Sequence, residues 1–155
     1  MRYQFATVEL RRRGPIKTTD DIVSMCVKEG LFTSAQEVFH IICFDGETQL
    51  RSVVEIGRGD YHSVPAPIPV ILSALAASGA DRFWLMHNHP DGNVKPTKID
   101  LDLTRQIMVV ANLSEHFLED HLIIGPPDKI YSMAQHGQIT PHPRITGMIA
   151  AQDGE

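Results

Sequence analysis

Apolar and polar positions change period several times along the chain, and each change marks an element. Residues 3–11 alternate, with Tyr3, Phe5, Thr7 and Glu9 set against Ala6, Val8 and Leu10, which predicts a first strand. Thr18-Thr19-Asp20 offers an N-cap. Ile22, Val23, Cys26 and Val27 then recur at helical spacing up to a stop at Gly30. Glu37 to Phe44 is rich in Val, Ile and Phe and reads as a strand; Asp45-Gly46 signals a hairpin, and a return strand runs from about Leu50 to Ile56. Gly57 to Pro67 reads as a loop. A second helix shows one face in Ile68, Ile71, Leu72, Leu75 and Ala76, with Pro69 in its tolerated first turn. Arg82 to Met86 is a short apolar run, read as a buried strand, that leads straight into His87-Asn88-His89. Pro90 to Pro96 is a Pro/Gly loop, and Thr97 opens a third helix with a face of Ile99, Leu103, Ile107 and Val110. Strands at His116–Ile124 and Lys129–Met133 flank the turn Gly125-Pro126-Pro127-Asp128. Beyond Gly137 the periodicity fades, so residues 139–155 are expected to form a loosely ordered tail.

The order is strand, helix, two strands, helix, strand, helix, two strands. It predicts an α/β domain over residues 1–138, with a mixed sheet and helices packed on it. No repeat or low-complexity linker divides the chain. With 155 residues, 43% of them hydrophobic, it can bury a core without disulfides or a structural metal. A metal site here therefore serves chemistry more than folding.

A net charge of −5 gives no global attraction to nucleic acid, and Arg11-Arg12-Arg13 is too short to make a footprint. Cys26 and Cys43 share no metal-ligand spacing and read as reduced core residues of a cytoplasmic protein. No apolar stretch is long enough to span a bilayer, and the N-terminus lacks the apolar core of a signal peptide.

The candidate chemistry lies between residues 87 and 100. His87 and His89 stand two apart at a strand end, so both imidazoles face one side and can converge on one ion. Asp100 lies one turn into the next helix, three residues after Thr97, where free N–H groups and the helix dipole favour an anion. Two histidines and a carboxylate leave a fourth tetrahedral position for water, the pattern of catalytic zinc. Each part also has a plainer reading. Thr97-Lys98-Ile99-Asp100 is a Thr-x-x-Asp capping pattern that needs no metal, and His87 alone suits a core histidine. The combination within fourteen residues favours the metal.

His87-x-His89, seven residues, Thr97, two residues and Asp100 resembles the HxH, seven residues, Ser, two residues, Asp motif of the JAMM (JAB1/MPN/Mov34) metalloproteases. His87-Asn88-His89-Pro90-x-Gly92, Pro96, the run Glu119-Asp120-His121-Leu122-Ile123-Ile124-Gly125, and Tyr131-Ser132 with Gly137 resemble its RadC-like branch, over about residues 35–138. The resemblance implies a cytidine-deaminase-like three-layer sandwich, the JAB/MPN fold. It implies His87, His89 and Asp100 as ligands of one zinc ion, Thr97 as an oxyanion partner, and an upstream glutamate as general acid/base. Glu37 stands where the family places that glutamate, with Glu55 as its rival. Thr97 replaces the usual Ser, keeping the hydroxyl on a stiffer side chain. Asp91 stands where RadC-like sequences usually carry Ser, adding negative charge near the metal. Some thirty residues precede the match, so the helical region that precedes the domain in full-length RadC proteins is expected to be absent, and a repair role has little support.

The function this implies is zinc-dependent hydrolysis of an amide bond in a protein or peptide, a ubiquitin-like conjugate among the candidates. The competing reading is an MPN-type scaffold, or a repair-associated binding protein, without turnover. A zinc deaminase would need a PCxxC pair and an HxE that this chain lacks. Asp120 and His121 are candidates for orienting a metal ligand from behind. His40, His62, His116, His136 and His142 show no partner spacing.

Overall fold

A computed structural model describes residues 6–7, 18–30, 34–45, 50–59 and 68–140. The elements are β1 (Ala6–Thr7), α1 (Thr19–Lys28), β2 (Glu37–Phe44), β3 (Leu50–Gly59), α2 (Ile68–Ser78), β4 (Arg82–Asn88), α3 (Lys98–Leu113), β5 (Phe117–Gly125) and β6 (Lys129–Ser132). Most of the predicted first strand, the hairpin turn after Asp45, residues 60–67 and the tail beyond Thr140 lie outside the described residues.

The strands form one six-stranded sheet in the order β1-β3-β2-β4-β5-β6. Among the described residues only β4 and β5 pair in parallel; the other neighbouring strands are antiparallel, so the sheet is mixed. Parallel neighbours need a crossover connection, and the loop after β4 with α3 supplies it.

Side chains alternate across the strands and divide the core in two. On one face Phe39, Ile41, Phe83, Leu85 and Ile123 pack with Ile71, Ala74 and Leu75 of α2 and Ile107 and Ala111 of α3. On the other, Ile42, Met86, Leu122 and Ile124 pack with Ile22, Met25 and Cys26 of α1. Helices thus cover both faces, which makes the expected three-layer α/β sandwich. Cys26 and Cys43 are both free and lie in different layers, Cys43 with α2 and α3. Burial, followed by the charge of Glu29, pushes the Cys26 thiol up to about 12. No helix among the described residues is long and apolar enough to cross a membrane.

Strand β4 runs to Asn88, with His87 and Asn88 paired to Ile123 and Ile124, which leaves the histidines at a strand end as expected. Two expectations need correction. Strand β3 continues through Gly57 to Gly59, residues predicted as loop, because the first residues of β2 use them as partners: Glu37 faces Gly59, Val38 Arg58 and Phe39 Gly57. Helix α3 is rotated from the face its apolar residues predict, keeping Ile107 in the core and Leu103 packed against it. Asp100, Thr104, Ile107 and Ala111 are buried, whereas Ile99 is 65% exposed. Two polar residues occupy the inward line because they have partners at the sheet.

Candidate metal centre

Four side chains meet where β2, β4 and α3 come together: Glu37 on β2, His87 on β4, His89 just past the end of β4 and Asp100 on α3, each offering a ligand atom within 4.8 Å of the others. Helix α3 begins in the same space, so its N-terminal dipole faces the cluster.

His87 Nε2 lies 2.9 Å from His89 Nε2 and 3.3 Å from Asp100 Oδ1, and His89 Nε2 lies 3.6 Å from Asp100 Oδ2. A tetrahedral ion with bonds of roughly 2.0–2.1 Å sets its ligand atoms about 3.3 Å apart. The observed separations, two of them to different oxygens of Asp100, lie near that figure, so the three groups are spaced to hold a metal ion after small adjustment. Glu37 Oε1 stands further off, 3.9 Å from His87 Nε2.

The capping reading of Asp100 holds, and the cap leaves the carboxylate facing the cluster. The Thr97 backbone N–H and hydroxyl donate to Asp100 Oδ2 at 2.7 and 2.8 Å, and the Asp100 N–H donates back to Thr97 Oγ1 at 3.2 Å. The same carboxylate still reaches both imidazoles. Burial alone would raise its pKa. Hydrogen bonds from His87 and His89, with help from the Thr97 backbone, outweigh burial and hold it well below the usual carboxylate range. For His89, burial pulls the pKa down, but the Asp100 bond and the Asn93 carbonyl carry it above the ordinary histidine value.

The two candidates for the base are separated by the sheet. Glu37 shares the face of Phe39 and Ile41 and enters the cluster. Glu55 pairs with His40 in register on the α1 side, and its carboxylate takes both Arg58 nitrogens at 2.9 and 3.0 Å.

Asp120 and His121 part ways too. Asp120 accepts from the His121 N–H at 2.7 Å, the Ser132 hydroxyl at 2.5 Å and the Ala134 N–H at 2.9 Å, so it ties β5 to the turn after β6. His121 lies directly behind the cluster, its Nε2 2.8 Å from His87 Nδ1. Complete burial, followed by the charge of His87, pushes its imidazole well below the ordinary range, which keeps it neutral.

Three supporting residues escaped sequence reasoning. Asn88 points to the opposite face from its histidine neighbours. There it accepts from the Val38 N–H at 2.7 Å and donates to the Gln36 and Ser34 carbonyls, clasping the backbone on both sides of Glu37. Phe39 stacks on His87 with ring centroids 5.3 Å apart. Thr104 bonds His121 from α3 at 2.7 Å. The signal for Asn88 was its place between two inward histidines on a strand, which aims it the other way; Thr104 gave a signal only as the residue one turn beyond Asp100.

The loop after His89 completes the setting. His89 Nδ1 lies 2.6 Å from the Asn93 carbonyl, and the exposed Asp91 accepts the Asn93 N–H at 2.9 Å, folding the loop on itself. Gly92 adopts φ 79 and Gly125 lies so close beneath it that a Cβ at Gly125 would stand 2.8 Å from Val94 Cγ1 and 3.1 Å from Gly92 Cα. Beside the loop opens a shallow cleft of about 450 Å³, lined by Asp91, Asn93, Lys95, Lys129 and Tyr131 among others.

The sequence pattern of the RadC-like JAB domain matches residues 16–138, which takes in α1 as well as the strands and helices of the site. A UPF0758 protein of Porphyromonas gingivalis is 28% identical over 140 residues, 85% of this chain and 62% of that relative. Another, from Albidiferax ferrireducens, is 31% identical over 141 residues, 85% of this chain and 59% of that relative. A third, from a Cyanothece species, is 37% identical over 95 residues, 61% of this chain and 39% of that relative. The chain thus spans 39–62% of the length of these curated relatives. The family match covers the cluster-bearing elements from end to end, and the chain belongs to the RadC-like JAB domain family.

Proposed function

We propose that this chain is a zinc-dependent hydrolase of amide bonds, a peptidase or isopeptidase of the JAMM type, with one zinc ion per chain. The observation that carries the reading is the convergence of His87, His89 and Asp100 at tetrahedral spacing with Glu37 poised beside them. His87, His89 and Asp100 are the three ligands, with the fourth position left to water. Bound there, zinc supplies Lewis acidity that polarises a carbonyl and brings the pKa of water down to roughly 7.

The chain's own groups do the rest. Glu37 takes a proton from the attacking water and returns it to the leaving amine. Asn88, by holding the backbone around Glu37, keeps that carboxylate aimed at the cluster. Thr97 fixes Asp100 through two hydrogen bonds, and its hydroxyl turns to a developing oxyanion only by releasing Asp100 Oδ2. The substrate is a protein or peptide, with a ubiquitin-like conjugate as one candidate. Its free, buried thiols suit the cytoplasm, where we place the protein.

The test is Glu37→Gln assayed against a peptide library, with zinc content measured in parallel. Zinc should stay stoichiometric while turnover falls on the order of 100- to 10,000-fold. Full activity in the variant would refute the assignment. Stoichiometric zinc in wild-type protein without turnover on any amide would leave a scaffold.

A further inference from the structure

We propose that Thr104 and His121 form a one-way hydrogen-bond relay that presets His87 for metal by holding a ring proton on Nδ1 and turning Nε2 to the cluster. The inference deepens the zinc reading and rests on it for its consequence, but the relay belongs to the polypeptide itself.

The direction of the relay follows from one group that only accepts. The Thr104 hydroxyl lies 2.7 Å from the Asp100 backbone carbonyl, one helical turn back. A carbonyl has no proton to give, so this contact is favourable only if Thr104 donates. Were Thr104 to donate elsewhere, two oxygens would face each other lone pair to lone pair in a buried site, an expensive arrangement. The hydroxyl has one proton, and it is committed.

The next link is then forced. His121 Nδ1 lies 2.7 Å from Thr104 Oγ1, which can now only accept, so His121 carries its proton on Nδ1. A neutral imidazole with Nδ1–H has a bare Nε2. That Nε2 lies 2.8 Å from His87 Nδ1, so His87 must donate from Nδ1. A proton of His87 is thereby held on the side away from the cluster, and its Nε2 faces His89 Nε2 and Asp100 Oδ1 as the ligand atom. Each step is buried: Thr104 is 1% exposed and His121 and His87 no more, so water cannot reverse a link cheaply.

His89 reaches the same tautomer by a separate route. Its Nδ1 lies 2.6 Å from the Asn93 carbonyl, again a pure acceptor, so Nδ1–H donates there and Nε2 is left as the ligand atom. Two imidazoles preset from opposite sides thus turn their Nε2 atoms to one another at 2.9 Å and towards Asp100, where a metal ion takes the place of the protons shared with that carboxylate. The relay also links two ligands, since it starts on the backbone of Asp100 and ends on the ring of His87. Thr104 and His121 are positioning residues: neither belongs to the four-residue cluster, and both act through His87.

The experiment reads ring tautomers by imidazole nitrogen chemical shifts in metal-free wild-type protein, Thr104→Val and Thr104→Ser, together with zinc affinity by competition with a chelator. Wild type should show Nδ1–H on both His121 and His87. Thr104→Val should abolish that preference at His121 and weaken zinc by about 10- to 100-fold, the usual cost of removing an outer partner of a metal ligand. Thr104→Ser should restore both. Nε2–H on His121 in wild type, or unchanged tautomers and zinc affinity in Thr104→Val, would overturn the relay. The wild-type spectrum decides it even if Thr104→Val fails to fold. Wild-type protein that shows the Nδ1–H pattern but takes up no zinc would support the relay and sink the hydrolase reading.

Discussion

Two helices of this protein begin with the same four-residue device. Thr18 and Asp21 cap α1, and Thr97 and Asp100 cap α3; in each the threonine hydroxyl accepts the aspartate N–H at 3.2 Å and the aspartate carboxylate accepts the threonine N–H. Around Thr18 the cap is exposed at the surface. The α3 cap faces the end of β4, and its carboxylate reaches two imidazoles that the strand delivers. One motif thus ends as a helix start and the other as a helix start whose carboxylate also enters a candidate metal cluster. The difference lies wholly in what the fold brings opposite, so no local pattern could separate them. A helix-capping carboxylate is also a good ligand for a physical reason: the cap fixes its rotamer before any ion arrives.

The largest effect should come from removing each carboxylate in turn. Asp100→Asn should abolish both zinc binding and turnover, whereas Asp21→Asn should leave both intact. Thermal unfolding with and without zinc sharpens the contrast. At a free zinc concentration a hundredfold above Kd, the metal should stabilise wild type by about 2.7 kcal/mol, and Asp21→Asn equally, while Asp100→Asn should gain nothing.

Acid separates the caps from the buried histidines. The Asp100 pKa is depressed, so its contribution to folding is complete above the ordinary carboxylate value and is lost only below it. Burial lowers His40 to about 4, against the opposing pull of Glu55 and with the help of Arg58. The unfolded chain therefore takes up a proton on His40 before the folded one does. Stability should be full above about pH 6.5 and fall by on the order of 3 kcal/mol as the pH drops towards 4. His121 acts in the same direction and His89 in the opposite one. The difference in denaturant midpoints between wild type and His40→Gln across this range isolates the His40 share. Equal slopes in the two proteins would remove it.

The smallest effect compares the threonines. Thr18→Ala should cost about 1 kcal/mol of stability and leave zinc affinity unchanged. Thr97→Ala should cost a similar amount and also weaken zinc. Equal zinc affinity in both would dissolve the distinction between the caps.

How much of this was legible beforehand depended on whether local and tertiary demands agreed. Strand β2 runs from Glu37 to Phe44 and the α3 cap sits at Thr97, both where apolar patterning and capping chemistry set them. The HxH spacing on a strand placed two imidazoles together. Where the fold asked for something local chemistry disfavours, the reading slipped. Gly57 and Gly59 look like loop residues yet lie in β3, because the strand start that carries Glu37 needs backbone partners. Helix α3 reads as facing inward along Ile99 and Leu103, yet Asp100 and Thr104 take the inward line. Apolar periodicity fails there because the site puts polar residues where a core would put leucines. The split between Asp120 and His121 was illegible for a related cause: alternation puts neighbours on a strand on opposite faces, but only the fold shows which face holds the metal ligands.

The most direct test of the account is a zinc titration of chelator-treated protein, read by calorimetry, on wild type and on Asp100→Asn. One zinc per wild-type chain, with binding lost in the variant, is the predicted result. A wild-type chain that takes up no zinc, or an Asp100→Asn chain that binds it as tightly, would contradict the account.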